Sequence, residues 1–271
     1  MAVIVVGAAK GSPGASTSAL ALAAAWPGDV QPLVLEADAG GGDALLRFGL
    51  RDSPGLVSLA AASRRAGLTT ALLRKHVQRL PGGVEMVVAP AESAQCMAAL
   101  DALSPAWAEA ELDDALLIVD CGGLGVVGPS AEKLLSASDV LVLVTAGSVE
   151  ALAHTAEAAA RLRDRVGTLV VAVVGHCPWP TAEVEAALGA DACLMLPHDP
   201  PTAALLRGRP APRNRWPLKP RRPLLDAVRR LALELRRRLP EQQAPADHQP
   251  PTGDGAAEQT NLATVLRGEL T

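Results

Sequence analysis

Aromatic residues are nearly missing from this 271-residue chain, which has one Phe, no Tyr and four Trp. A core drawn from its 49 % apolar residues is therefore aliphatic. No unbroken apolar run reaches the length that spans a bilayer, so no transmembrane helix is expected. The alanine-rich start lacks the basic region of a signal peptide, and Lys10, Gly11 and Pro13 interrupt it. The expected location is the cytoplasm. The four cysteines, Cys96, Cys121, Cys177 and Cys193, show no C-x-x-C spacing and fit a reducing compartment. His176, Cys177, Cys193 and His198 lack ligand spacing, so no zinc site is expected. A net charge of −4 gives no global attraction to nucleic acid. Lysine is scarce too, with four among the 25 basic residues, and one of them, Lys10, falls in the first glycine-bearing loop.

That loop follows the apolar run Ala2-Val3-Ile4-Val5-Val6 and precedes the helix-forming stretch from Ser16. Gly11 and Gly14 between them let backbone N–H groups converge on an anion at the positive end of the new helix. A phosphate-binding loop reads G-x-x-x-x-G-K-[ST]. Here the hydroxyl is present as Ser16, with Thr17 behind it. The first glycine is replaced by Ala9 and the lysine by Ala15. On its own the loop fits either a phosphate cradle or a glycine turn kept for packing.

The order of further motifs favours the cradle. Lys10, Gly11, Gly14, Ser16 and Thr17 resemble the deviant loop K-G-G-x-G-K-[ST]-T of the MinD/ParA family. Leu33-Val34-Leu35-Glu36-Ala37-Asp38, followed by Gly40-Gly41-Gly42-Asp43, is similar to that family's second strand and first switch. Leu116-Leu117-Ile118-Val119-Asp120-Cys121-Gly122-Gly123 resembles its Walker B strand and second switch. Leu196-Pro197-His198-Asp199 and the stretch to Pro210 are similar to its late segment around the base. The resemblance covers residues 1–239.

It implies ATP and Mg2+ as cofactors. The loop residues Gly11, Ser12, Pro13, Gly14, Ala15, Ser16 and Thr17 would hold the phosphates, and Pro197 and Asp199 the base side. Ser16 would bind magnesium directly and Asp120 through water. Asp38 would position the attacking water, and Lys10 would reach across a dimer to the partner's nucleotide. Glu36 stands where the family has Asp, keeping the charge on a longer arm. Asp43 is a candidate helix N-cap. Trp179, between two prolines, fits either purine stacking or a braced surface position. Losing the loop lysine removes a charge-assisted contact worth about 1.5–3 kcal/mol, so affinity falls roughly ten- to a hundredfold.

Strand-like runs at 3–6, 33–35, 84–89, 116–119, 140–144, 169–174 and 192–196 alternate with helical stretches at 16–25, 57–65, 91–103, 149–165 and 202–206. Apolar strands without alternation, separated by amphipathic helices, predict a three-layer α/β domain over 1–239, a mainly parallel sheet with helices on both faces. Ligands then bind beyond the strands' carboxyl ends. Residues 224–239 form a helix with Leu224, Leu225, Val228, Leu231, Leu235 and Leu239 on one stripe, with Arg229, Arg230, Arg236, Arg237 and Arg238 around it. It reads as the domain's last helix or as a basic surface for membrane or DNA, which would place the protein peripherally at the inner face of the membrane. Residues 240–260 read as a disordered linker and 261–271 as a short amphipathic segment for docking a protein partner.

The functional expectation is a homodimerising, ATP-binding positioning or assembly factor with weak or slow hydrolysis. The alternative is a pseudo-ATPase scaffold that keeps the fold and partner surface without turnover. The cargo is open between division, segregation, pilus assembly and secretion.

Overall fold

The computed structural model describes residues 2–113, 115–125, 128–209 and 221–239. The expected linker 240–260 and docking segment 261–271 lie outside the described residues. Among the described residues the strands are β1 (Ala2–Ala8), β2 (Leu33–Glu36), β3 (Gln78–Arg79), β4 (Glu85–Val87), β5 (Leu116–Gly123), β6 (Val140–Ala146), β7 (Thr168–Val174) and β8 (Ala192–Leu196). The helices are α1 (Ala15–Ala25), α2 (Ala44–Phe48), α3 (Leu56–Ala66), α4 (Thr70–His76), α5 (Ser93–Leu103), α6 (Pro129–Ser136), α7 (Val149–Leu162), α8 (Thr181–Leu188), α9 (Pro200–Leu206) and α10 (Pro223–Arg238).

The strands form one sheet in the order β3-β4-β2-β5-β1-β6-β7-β8. Every neighbouring pair is parallel except β3 with β4. Side chains leave each strand alternately, and both directions are buried. Ile4, Val6 and Ile118 meet α1, α2, α9 and α10 on one face. Val3, Val5 and Val119 meet α3 to α8 on the other. This is why the strands read as continuous apolar runs. The seven expected strands and the mainly parallel, three-layer architecture are present.

The differences are in short elements. β3 is a two-residue antiparallel edge strand whose Gln78 and Arg79 carry no β signal. Helices α2, α4, α6 and α8 have 5 to 8 residues, too few for a 3.6-residue period to stand out.

Helix α10 packs on α1, whose buried Ala19, Ala21 and Ala25 allow close approach. Leu224, Leu225, Val228, Leu231 and Leu235 are buried there, each contributing about 1.5–3 kcal/mol. Its stripe is thus the domain's own core. The chain runs from β1 out to β2 and β4, returns through β5 beside β1, then continues on β1's other side through β6. That reversal puts β1's carboxyl end at the topological switch point, where open sheets of this kind bind ligands. Among the described residues no helix is long and apolar enough to cross a membrane.

Candidate functional site

At that switch point the chain leaves the sheet at Ala8 and enters α1 at Ala15. Gly14 immediately precedes the helix with φ 105° and ψ 31°, a left-handed conformation that a side chain disfavours. Its carbonyl accepts the Ser18 N–H at 2.8 Å. No side chain caps α1 and its first turn holds no acid, so the first amides and the positive end of the helix face the loop. Gly11 is also left-handed, at φ 74°, and Ser12 beside it is exposed. Pro13 is half-buried, and Ala15 and Thr17 are buried.

Asp120 lies on β5, on the same face as Ile118, directed at α1. It is 2 % exposed. The Ser16 hydroxyl lies close enough to its carboxylate to favour the ionised form, and the Gly122 N–H donates to Oδ1 at 3.1 Å. Burial pushes its pKa up to about 6 despite these neighbours, with Glu36 and Asp38 adding repulsion. Asp38 closes its own turn, accepting the Gly40 N–H at 2.8 Å on Oδ1. It packs directly over Gly122, where an added Cβ would lie 1.7 Å from Asp38 Oδ2. Burial raises its pKa as well. The sequence-expected Ser16, Asp38 and Asp120 are therefore brought together.

Glu36 spends its longer arm on backbone amides. Oε1 accepts the N–H groups of Asp43 at 2.8 Å and Ala44 at 3.0 Å, and Oε2 accepts the Ala89 N–H at 2.9 Å. The longer arm thus pins the 40–44 turn to the end of β4. Gly42 allows this, since a Cβ there would sit 2.5 Å from Glu36 Oε2. Asp43 occupies the N-cap position of α2, but its carboxylate pairs with Arg47 and makes no cap bond. Glu36 serves those amides instead.

Two other expected residues, Lys10 and Asp199, have hydrogen-bond partners within the chain. Lys10 Nζ lies 3.1 Å from His154 Nε2 on α7. Asp199 is the N-cap of α9, accepting the Thr202 N–H at 3.1 Å and the Leu224 N–H at 3.4 Å, so it ties α9 to α10. Pro197, half-buried, follows the last residue of β8. Trp179 lines an apolar groove of about 350 Å³ with Val149, Leu152 and Val184, between α7 and α8. That is the sheet face opposite α1 and Asp120, which decides for the braced surface position over purine stacking. Sequence reading missed one cation near the loop: Arg207 Nε donates to Thr17 Oγ1 at 3.3 Å. With 190 positions between the two, no local pattern announces that contact.

Among the described residues no group of three or more His, Cys, Asp or Glu side chains is arranged to cage a metal ion. A hydroxyl beside one buried carboxyl at an amide-lined loop suits Mg2+, which is commonly held by one or two protein groups together with substrate phosphates and water. The residues present fit a magnesium nucleotide, short of one phosphate lysine.

This sheet order, with a glycine loop after β1 and a carboxylate on the neighbouring strand, defines a three-layer α/β protein of the P-loop kind. The particular fold is that of ParA and MinD ATPases. The ParA family ATPase from Chlorobium tepidum superposes with a TM-score of 0.64 at 20 % identity, over 86 % of this chain and 98 % of that one. The cell division ATPase MinD of Pyrococcus furiosus gives 0.60 at 16 % identity, over 87 % and 98 %. The septum site-determining protein MinD of Pyrococcus horikoshii, complexed with Mg-ADP, gives 0.60 at 16 %, over 86 % and 95 %. No protein-family model and no curated protein sequence matches the chain.

Proposed function

We propose that this chain is a nucleotide-dependent dimer switch of the MinD/ParA kind. It acts as a positioning or assembly factor that binds Mg-ATP weakly as a monomer and turns it over slowly. The observation that carries the reading is the buried Asp120 carboxyl placed beside Ser16 at the start of α1. So deeply buried an acid, raised to about 6, destabilises the fold once ionised, a cost that a bound cation removes. Magnesium, once bound with nucleotide, supplies charge neutralisation at the phosphates. Ser16 and the loop amides would hold the phosphates and cation, Asp120 would hold the cation through water, and Asp38, packed over Gly122, would position the attacking water.

A second reading, a scaffold without turnover, is favoured by Ala15 and by Lys10 resting on its own chain's His154. Partner contacts in either reading fall to 261–271, outside the described residues, and to α10. On α10 Arg229 already pairs with Asp226, and Arg237 and Arg238 with Glu234, which leaves Arg230 and Arg236 as the exposed arginines for an anionic surface. Calorimetric titration of ATP and ADP with magnesium, repeated over a hundredfold range of protein concentration, tests the switch. Affinity that rises with concentration, matched by dimer in sedimentation, supports it. No binding at millimolar nucleotide leaves the scaffold.

A further inference from the structure

We propose that Arg207 supplies in cis the phosphate-neutralising charge that Ala15 cannot, for a nucleoside di- or triphosphate in the β1–α1 loop. The inference rests on the nucleotide reading above. Arg207 is the C-cap of α9, its N–H bonded to the carbonyls of Ala203 and Ala204 at 3.2 Å each. Asp199 fixes the other end of the helix at Thr202. Leu206 packs in the same cluster as Ala15 and Ala19, so α9 is held against the start of α1. The side chain then turns onto α1, where Nε donates to Thr17 Oγ1 at 3.3 Å.

This is an unusual place to leave a cation. The first turn of α1 carries no acid, and its positive end disfavours a neighbouring positive charge. Among the described residues no carboxylate pairs with Arg207. A neutral hydroxyl aims the guanidinium, and its terminal nitrogens remain for a ligand. Two positive features side by side, one a planar fork and the other a row of amides, match a phosphate. The loop's own Lys10 is bonded to His154 on α7. Arg207 therefore provides the monomer with charge at the loop while Lys10 is held elsewhere. Thr17 and Ser16 are adjacent on α1, about 100° apart around its axis. The arginine thus meets α1 at Thr17, and Asp120 meets it at the neighbouring Ser16.

The alternative is that Arg207 merely brackets α9 to α1. Arg207→Gln separates the two, because the amide keeps a donor for Thr17 and removes the charge. Titration with Mg-ADP, at protein concentrations where the chain is monomeric, is the measurement, with the melting temperature of the nucleotide-free protein alongside. Arg207→Gln should lose roughly ten- to a hundredfold in affinity with little change in melting temperature, and Arg207→Lys should retain part of it. The double variant Ala15→Lys with Arg207→Gln should recover the loss. Wild-type affinity in Arg207→Gln, or a loss that Ala15→Lys does not restore, overturns the role of Arg207. Failure of the wild-type chain itself to bind millimolar Mg-ADP overturns the nucleotide reading.

Discussion

Asp120→Asn makes the buried carboxyl measurable without any ligand. Lifting Asp120 from an ordinary 3.8 to about 6 means that its ionised form costs the folded state roughly 3 kcal/mol, at about 1.4 kcal/mol per tenfold change in proton affinity. The sign follows from which state holds the proton. Between those two values the folded chain's Asp120 binds more protons than the unfolded one's, so this group's contribution to stability is greatest at low pH. It falls as pH rises through the window and is level above it. Asparagine cannot ionise. The variant's stability relative to wild type should therefore rise by about 2.5 kcal/mol between pH 4 and pH 8, whatever constant penalty its amide adds. Urea unfolding of both proteins at the two pH values gives the number. A relative stability that does not change with pH would show that Asp120 titrates alike in the folded and unfolded chains, and the argument from burial would be wrong. Magnesium nucleotide should reverse the advantage, stabilising wild type above pH 6 and the variant little.

Gly122→Ala places a Cβ where Asp38 Oδ2 now sits, at a backbone φ of 55°, so it should displace Asp38 and slow hydrolysis while leaving nucleotide affinity within a few-fold. Single-turnover kinetics checks this, and unchanged turnover would remove Asp38 from the reaction. Ala15→Lys should raise ATP affinity roughly ten- to a hundredfold by calorimetry, the value of one charge-assisted phosphate contact. His154→Ala should release Lys10 and strengthen nucleotide-dependent dimerisation in sedimentation, whereas Lys10→Ala should abolish it with the melting temperature intact. If α10 serves an anionic surface, replacing Arg230 and Arg236 by Gln should remove most salt-sensitive binding to acidic vesicles or DNA. Replacing Arg237 and Arg238 should matter less, since Glu234 already holds them.

The long elements were legible in the sequence because burial on both faces leaves a strong signature. Runs such as Leu116-Leu117-Ile118-Val119 have no polar side to show, and only a sheet covered by helices can accommodate several of them. The turn before α1 was legible for a local reason: the left-handed backbone of Gly11 and Gly14 needs no distant partner. The α10 stripe was legible as a helix, though its partner was not. Only the fold showed that α1, made largely of alanine, lets that stripe approach closely enough to bury it.

Tertiary structure decided everything that depends on one element meeting another. Glu36 read as a substitute for a switch carboxylate. Its three backbone hydrogen bonds instead make it the anchor of the 40–44 turn. Asp199 read as a base-side residue, and its two bonds place it at the joint of α9 and α10. Lys10 finds His154 and Arg207 finds Thr17 across separations of 144 and 190 residues. Side-chain chemistry and local periodicity are properties of a sequence. Which charges face each other across a site, and which carboxyl is buried deeply enough to hold its proton, follow from how helices lie on the sheet.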